Sequence, residues 1–175
     1  MKPTGRTMTL RGQIPNAEFD TWNTKNILDY ANVLDISKAW RVQYYMAWLG
    51  SYPSRDNTGT GVEWAIHGFL STDDLTVYES NADDNRQIGW SNQAYNSGGK
   101  TAGAYADGLM NESYIIDPDH IVQKRLDINF LPFGGSDFEA LFVDINYIVY
   151  LEEVQITPNE SIISTIKQSA QNIDA

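Results

Sequence analysis

The sequence predicts a mainly β protein: an antiparallel β-sandwich with an N-terminal helical segment and a C-terminal helix. Three observations predict it. Aromatic and β-branched residues alternate with polar ones in several runs, the period of a strand with one buried face. The runs are separated by turn-rich stretches, with no regular strand–helix alternation, which argues against a doubly wound sheet. A capping signature opens the last apolar-periodic segment. The 175 residues suit a single domain, 1–175, large enough to bury a core.

Taken in order, residues 1–15 read as an extended N-terminal arm containing the short strand candidate TMTL. In AEFDTWNTKNILDYANVL, Phe19, Trp22, Ile27, Tyr30 and Leu34 fall on one side of a helix. In WRVQYYMAWL, Trp40, Val42, Tyr44, Met46 and Trp48 share a face opposite Arg41 and Gln43. GSYPSRDNTGTG then reads as a hairpin loop. It leads into VEWAIHGFL, whose Val62, Trp64, Ile66 and Leu70 oppose Glu63 and His67. LTVYES is a shorter strand candidate, and residues 91–108, rich in Gly, Asn, Ser and Ala, read as a long surface loop. RLDINFL alternates Leu126, Ile128 and Phe130 against Asp127 and Asn129, and EALFVDINYIVYLEEVQI is a long β run. Residues 157–173 form the C-terminal helix, with Thr157 and Glu160 as a capping box, Pro158 at its first position, and an apolar stripe of Ile162, Ile163, Ile166, Ala170 and Ile173. Six or seven strands are counted, against about eight in a jelly roll.

Net charge is −11, unevenly spread: seven Lys/Arg against five Asp/Glu over residues 1–60, and five against eighteen over 61–175. The acidic body repels phosphate backbones and anionic lipid. Lys2, Arg6 and Arg11 make a basic cluster before the first acid, Glu18, the one candidate nucleic-acid contact. The chain has no cysteine, which excludes disulfides, thiolate metal sites and cysteine nucleophiles. The N-terminus lacks the apolar run of a signal peptide, and no window approaches about 18 consecutive apolar residues, so no membrane span is expected.

Asp117-Pro118-Asp119-His120 places two carboxylates and an imidazole within four residues. A D-x-D pair is able to hold a hard divalent cation. The same residues also suit a turn: Asp117 as a cap, Pro118 with its fixed φ, and Asp119 where negative charge is favoured. Asp83 and Asp84, in ESNADDNRQ, are chemically suited to a structural Ca²⁺ but miss EF-hand spacing. Gly99-Lys100-Thr101 matches the end of a phosphate loop, yet Ala94 stands where the earlier glycine is needed. His67, on the polar face of its strand, reads as a surface residue rather than a triad base, and two distant histidines make a weak zinc site. Of the five Trp, ten Tyr and six Phe, Trp40, Trp48 and Trp64 read as core. Trp90 and Tyr95 read as loop residues able to stack on a sugar ring.

In size and strand pattern the chain resembles, over residues 40–157, the small single jelly-roll proteins that build viral shells. The resemblance rests on no family motif and carries over no functional residue. It implies a non-enzymatic, self-assembling virion shell component, a homo-oligomer without a resident cofactor. A long basic N-terminal arm often accompanies such proteins; here only Lys2, Arg6 and Arg11 stand in that place. The alternative is a carbohydrate-binding sandwich using Trp90 and Tyr95, with Ca²⁺ as a candidate structural ion. A third reading is an acid–base enzyme built on Asp117, Asp119 and His120.

Overall fold

The computed structural model describes residues 1–29, 37–51, 62–75, 78–97, 107–138 and 140–170. Among the described residues, eight antiparallel strands form two sheets. The strands are β1 (Lys2–Glu18), β2 (Asn23–Asp29), β3 (Lys38–Leu49), β4 (Val62–Ser71), β5 (Gln87–Ser97), β6 (Asp107–Ile116), β7 (Arg125–Gly134) and β8 (Phe142–Gln155), followed by α1 (Pro158–Ala170). One sheet has the order β1-β8-β3 and the other β2-β7-β4-β5-β6. β3 and β4 belong to different sheets. The two strands are therefore not the hairpin expected of GSYPSRDNTGTG, whose residues 52–61 lie outside the described residues.

The core lies between the sheets. Ile14, Val42, Tyr45, Ile145, Val149 and Leu151 of the three-stranded sheet meet Trp64, Ile66, Leu70, Ile128 and Phe130 of the five-stranded one. Phe19 stacks on Phe138 at 5.0 Å between ring centroids, and Trp64 stacks on Tyr95 at 4.4 Å. At the open corner, the Tyr114 hydroxyl of β6 donates to the Ala47 carbonyl of β3 at 2.7 Å. Burial raises that phenol's pKa, which keeps it a donor.

Residues 2–15, read from sequence as an arm, lie within β1, which pairs with β8 from Lys2↔Gln155 to Glu18↔Phe142. The expected N-terminal helix is replaced by the end of β1, a turn and β2. Asn16 and Asp20 have positive φ (51° and 56°), incompatible with a helix. Asn23 Oδ1 accepts the Glu18 N–H at 3.0 Å, and its Nδ2 donates to the Thr21 carbonyl at 2.8 Å. Segment 17–29 is also rich in Asp, Thr and Asn, whose side chains compete with helical backbone bonds. Its aromatics lie in the turn between the two strands instead: Phe19 enters the core, and Trp22 meets Phe69 edge-on at 4.9 Å. Tyr30 and Leu34 lie outside the described residues.

Of the stretch read as a long loop, residues 91–97 complete β5 and 107–108 begin β6; residues 98–106, with Gly99, Lys100 and Thr101, lie outside the described residues. No described residue of the LTVYES segment is in a strand. The C-terminal helix forms as predicted. Thr157 N–H donates to Glu160 Oε2 at 2.7 Å and Glu160 N–H to Thr157 Oγ1 at 3.3 Å, the reciprocal bonds of a capping box. Residues 171–173, with Ile173, lie outside the described residues.

Candidate assembly surface

β3 begins with Trp40 and Val42 turned into the core. A β-bulge lies between Val42 and Tyr44. A bulge inserts one unpaired residue and reverses the face of everything after it. Beyond it Tyr45 and Ala47 are the buried residues, and Tyr44, Met46 and Trp48 turn outward. Trp48, read from sequence as core, is 45% exposed, and Tyr44 is 41% exposed.

The ladders show what flanks them. Three rows cross the outer face of the three-stranded sheet: Thr9–Tyr150–Tyr44, Arg11–Ile148–Met46 and Gln13–Asn146–Trp48. β1 contributes only polar side chains, β3 only large apolar ones, and β8 a mixture. Tyr150 is 42% exposed, and its ring centroid lies 5.9 Å from that of Tyr44. At one end Glu152 Oε2 accepts from Arg41 Nη2 and Gln43 Nε2, both at 2.8 Å. The result is an apolar band along β3 and β8 with a polar rim. A contiguous exposed apolar patch with such a rim is the mark of a protein interface.

A second apolar surface lies on α1, where Ile162, Ile163 and Ile166 are 56%, 54% and 59% exposed. Gln123 Nε2 donates to Ser161 Oγ at 2.8 Å, tying the helix to the β6–β7 connection. Beside α1, Asp117, Asp119, His120 and Ile163 help to line a cavity of about 250 Å³.

The other sequence candidates are dispersed. Asp117 N–H donates to the Ile88 carbonyl at 2.9 Å, and Asp117 Oδ1 accepts the Asp119 N–H at 3.0 Å, a side-chain-braced turn. His120 Nδ1 lies 3.8 Å from Asp117 Oδ2. Asp84 is engaged by Arg86 through Nε at 2.9 Å and Nη2 at 2.8 Å. Burial raises the Asp84 pKa, but the bonds and charge of Arg86 outweigh it and hold the carboxyl below its ordinary value. Asp83 is exposed beside it. Among the described residues, no three acid or histidine side chains gather as a metal site would require. Lys2, Arg6 and Arg11 are exposed along β1, Arg6 with Nη1 3.9 Å from Glu153 Oε1.

Trp90 and Tyr95 are on β5 and not in a loop. Tyr95 is buried against Trp64, with its hydroxyl donating to Gln93 Oε1 at 2.5 Å. That corrects its reading as an exposed sugar platform. Trp90 is half-buried and donates from Nε1 to Gln87 Oε1 at 3.0 Å.

No family model matches this chain, and no curated protein matches it. Among solved structures, the VP1 of trichodysplasia spinulosa-associated polyomavirus in complex with 3'-sialyllactose is similar. It is 8% identical, with a TM-score of 0.51 over 89% of this chain and 98% of that one. The human polyomavirus 7 VP1 pentamer is 9% identical, with a TM-score of 0.44 over 90% of this chain and 99% of that one. The expected resemblance to viral jelly-roll capsid proteins is thus present at the level of fold, without a family motif. Among the described residues, no helix is long and apolar enough to cross a membrane.

Proposed function

We propose that this chain is a self-assembling structural protein of a virion shell, and that copies meet through the Tyr44–Trp48–Tyr150 band. The observation that carries the reading is the bulge in β3. It turns three consecutive outward positions to Tyr, Met and Trp on a rigid sheet, and side chains held on such a frame lose little freedom on association. The capsid fold of the polyomavirus VP1 neighbour supports the reading. Any nucleic-acid contact falls to Lys2, Arg6 and Arg11 along the edge strand β1.

Trp48→Glu is the direct test. A central interface tryptophan is worth about 2 kcal/mol or more, so self-association weakens roughly 30-fold or more. Mass photometry across a concentration series reads the change, with circular dichroism confirming an intact sheet. A wild-type protein that stays a monodisperse monomer at high concentration, in low and high salt, removes the reading.

Carbohydrate binding is a second reading, favoured by the 3'-sialyllactose in the VP1 complex. With Tyr95 in the core, Trp90 is what remains of the two residues read from sequence as a sugar contact. Millimolar 3'-sialyllactose should then shift the Trp90 indole resonance; an unmoved signal eliminates this reading.

A further inference from the structure

We infer that α1 of one copy lies on the β3–β8 band of a second copy, so that the contact is head-to-tail. The inference rests on the self-assembly reading and names the surface that meets the band.

The width of the band selects a helix. Of the three strands, β1 is polar on its outer face, so the apolar surface is confined to β3 and β8. Two strands at about 4.8 Å spacing are about 10 Å across, which matches the ~10 Å diameter of one helix. A second sheet packing face to face would set its third strand against Thr9, Arg11 and Gln13. Length agrees as well. Tyr44 to Trp48 runs about 13 Å along a strand, within the ~20 Å of a 13-residue helix.

α1 needs a partner for its own reasons. A helix of about 13 residues is marginal in water without a buried face, and its three isoleucines are more than half exposed. It does not cover the band of its own chain, since Tyr44, Trp48 and Tyr150 remain exposed while Gln123 holds Ser161 near the β6–β7 connection. The convex stripe and the flat band on one chain therefore fit each other only between copies. Such a contact uses different surfaces on the two partners, and it closes into a ring or grows until geometry stops it.

Complementation between two variants tests this. Ile162→Gln/Ile163→Gln/Ile166→Gln keeps helix-forming residues but removes the stripe. Tyr44→Thr/Trp48→Thr keeps strand-forming residues but removes the band. Each variant alone is expected to be a monomer, and an equimolar mixture to give a 1:1 heterodimer that grows no further. Sheet-to-sheet contact would give no heterodimer. Should either variant fold poorly, full-length protein carrying Met46→Cys and Ile166→Cys, in a chain with no other cysteine, is treated with a short bismaleimide. A ladder of cross-linked multimers is expected. A stripe variant that assembles like wild type, a mixture that stays monomeric, or the absence of a cross-linked ladder overturns the inference. A wild-type protein that is itself monomeric overturns the assembly reading instead.

Discussion

Arg125→Ala is expected to lower the melting temperature by roughly 6–12 °C. The reason lies in the alternation of β7. Leu126, Ile128 and Phe130 point into the core, and Asp127 and Asn129 point to the opposite face of the sheet. That face is not open to water at these positions, where Asp127 is 1% exposed and Asn129 is fully buried. Each is satisfied by named partners. Arg125 Nε lies 2.7 Å from Asp127 Oδ2, and Asn26 Nδ2 donates to Asp127 Oδ1 at 2.7 Å. Asn129 accepts from Thr24 Oγ1 at 2.8 Å and donates to Ser71 Oγ at 3.1 Å. The nearby Asp127 carboxyl raises the pKa of Arg125. Removing the guanidinium leaves a buried carboxylate with one amide donor. Breaking a buried pair from one side costs about 3–5 kcal/mol, and the lower end applies because the Arg125 side chain is itself one-third exposed. At about 2–4 °C per kcal/mol for a chain of this length, the shift follows. Differential scanning calorimetry reads it. Asp127→Asn in the Arg125→Ala background should recover part of the loss, because the uncompensated charge goes. A single variant melting within a degree of wild type would show that the pair is not coupled to folding.

These residues also show what a sequence can and cannot disclose. The alternation in RLDINFL identifies β7 and its inward face, because side-chain period is a local property. It does not say that the polar face is buried as well; that depends on Thr24, Asn26 and Ser71, which arrive from other strands. The C-terminal helix is legible to its first hydrogen bonds, since a capping box is complete within four residues. The assembly band is illegible for the opposite reason. Uninterrupted alternation puts Trp40 and Trp48 on one face, and only pairing with β8 reveals the extra residue between Val42 and Tyr44 that separates them. The misread helix has the same origin. The spacing of Phe19, Trp22 and Ile27 fits a helix, but equally serves a turn that holds Phe19 and Trp22 and a following strand that carries Ile27, once Asn16 and Asp20 adopt left-handed conformations. The one available cue was the abundance of Asp, Thr and Asn between the apolar residues. Tyr95 is not legible as a strand residue because its neighbourhood is rich in Gly and Asn, and four of the 11 residues of β5 are Gly, Ala or Ser.

Phe130→Ala is expected to cost about 3–5 kcal/mol, and Gly68 is the residue that tests why. Phe130 is fully buried and lies opposite Gly68 in the β4–β7 ladder. A Cβ placed on Gly68 would stand 2.5 Å from two atoms of the Phe130 ring and 2.6 Å from Ser91 Oγ. The glycine is there for the ring, which occupies the space a side chain would take. Gly68→Ala alone is therefore an overpacking change, costing about 1–3 kcal/mol although it adds a single methyl group. Removing the ring opens that space, so the methyl of Gly68→Ala then fills part of the cavity left by Phe130→Ala. The double variant should be less destabilised than the two single changes together by about 0.5–3 kcal/mol, the coupling expected of residues in contact. Urea melts of the four proteins at one temperature measure it, and strictly additive losses would mean that the ring and the glycine do not share the space. The same packing fixes how β4 and β7 lie against β8. That frame holds the outer band in place, so a loosened Phe130 should weaken self-association even though it lies on the opposite sheet from Trp48.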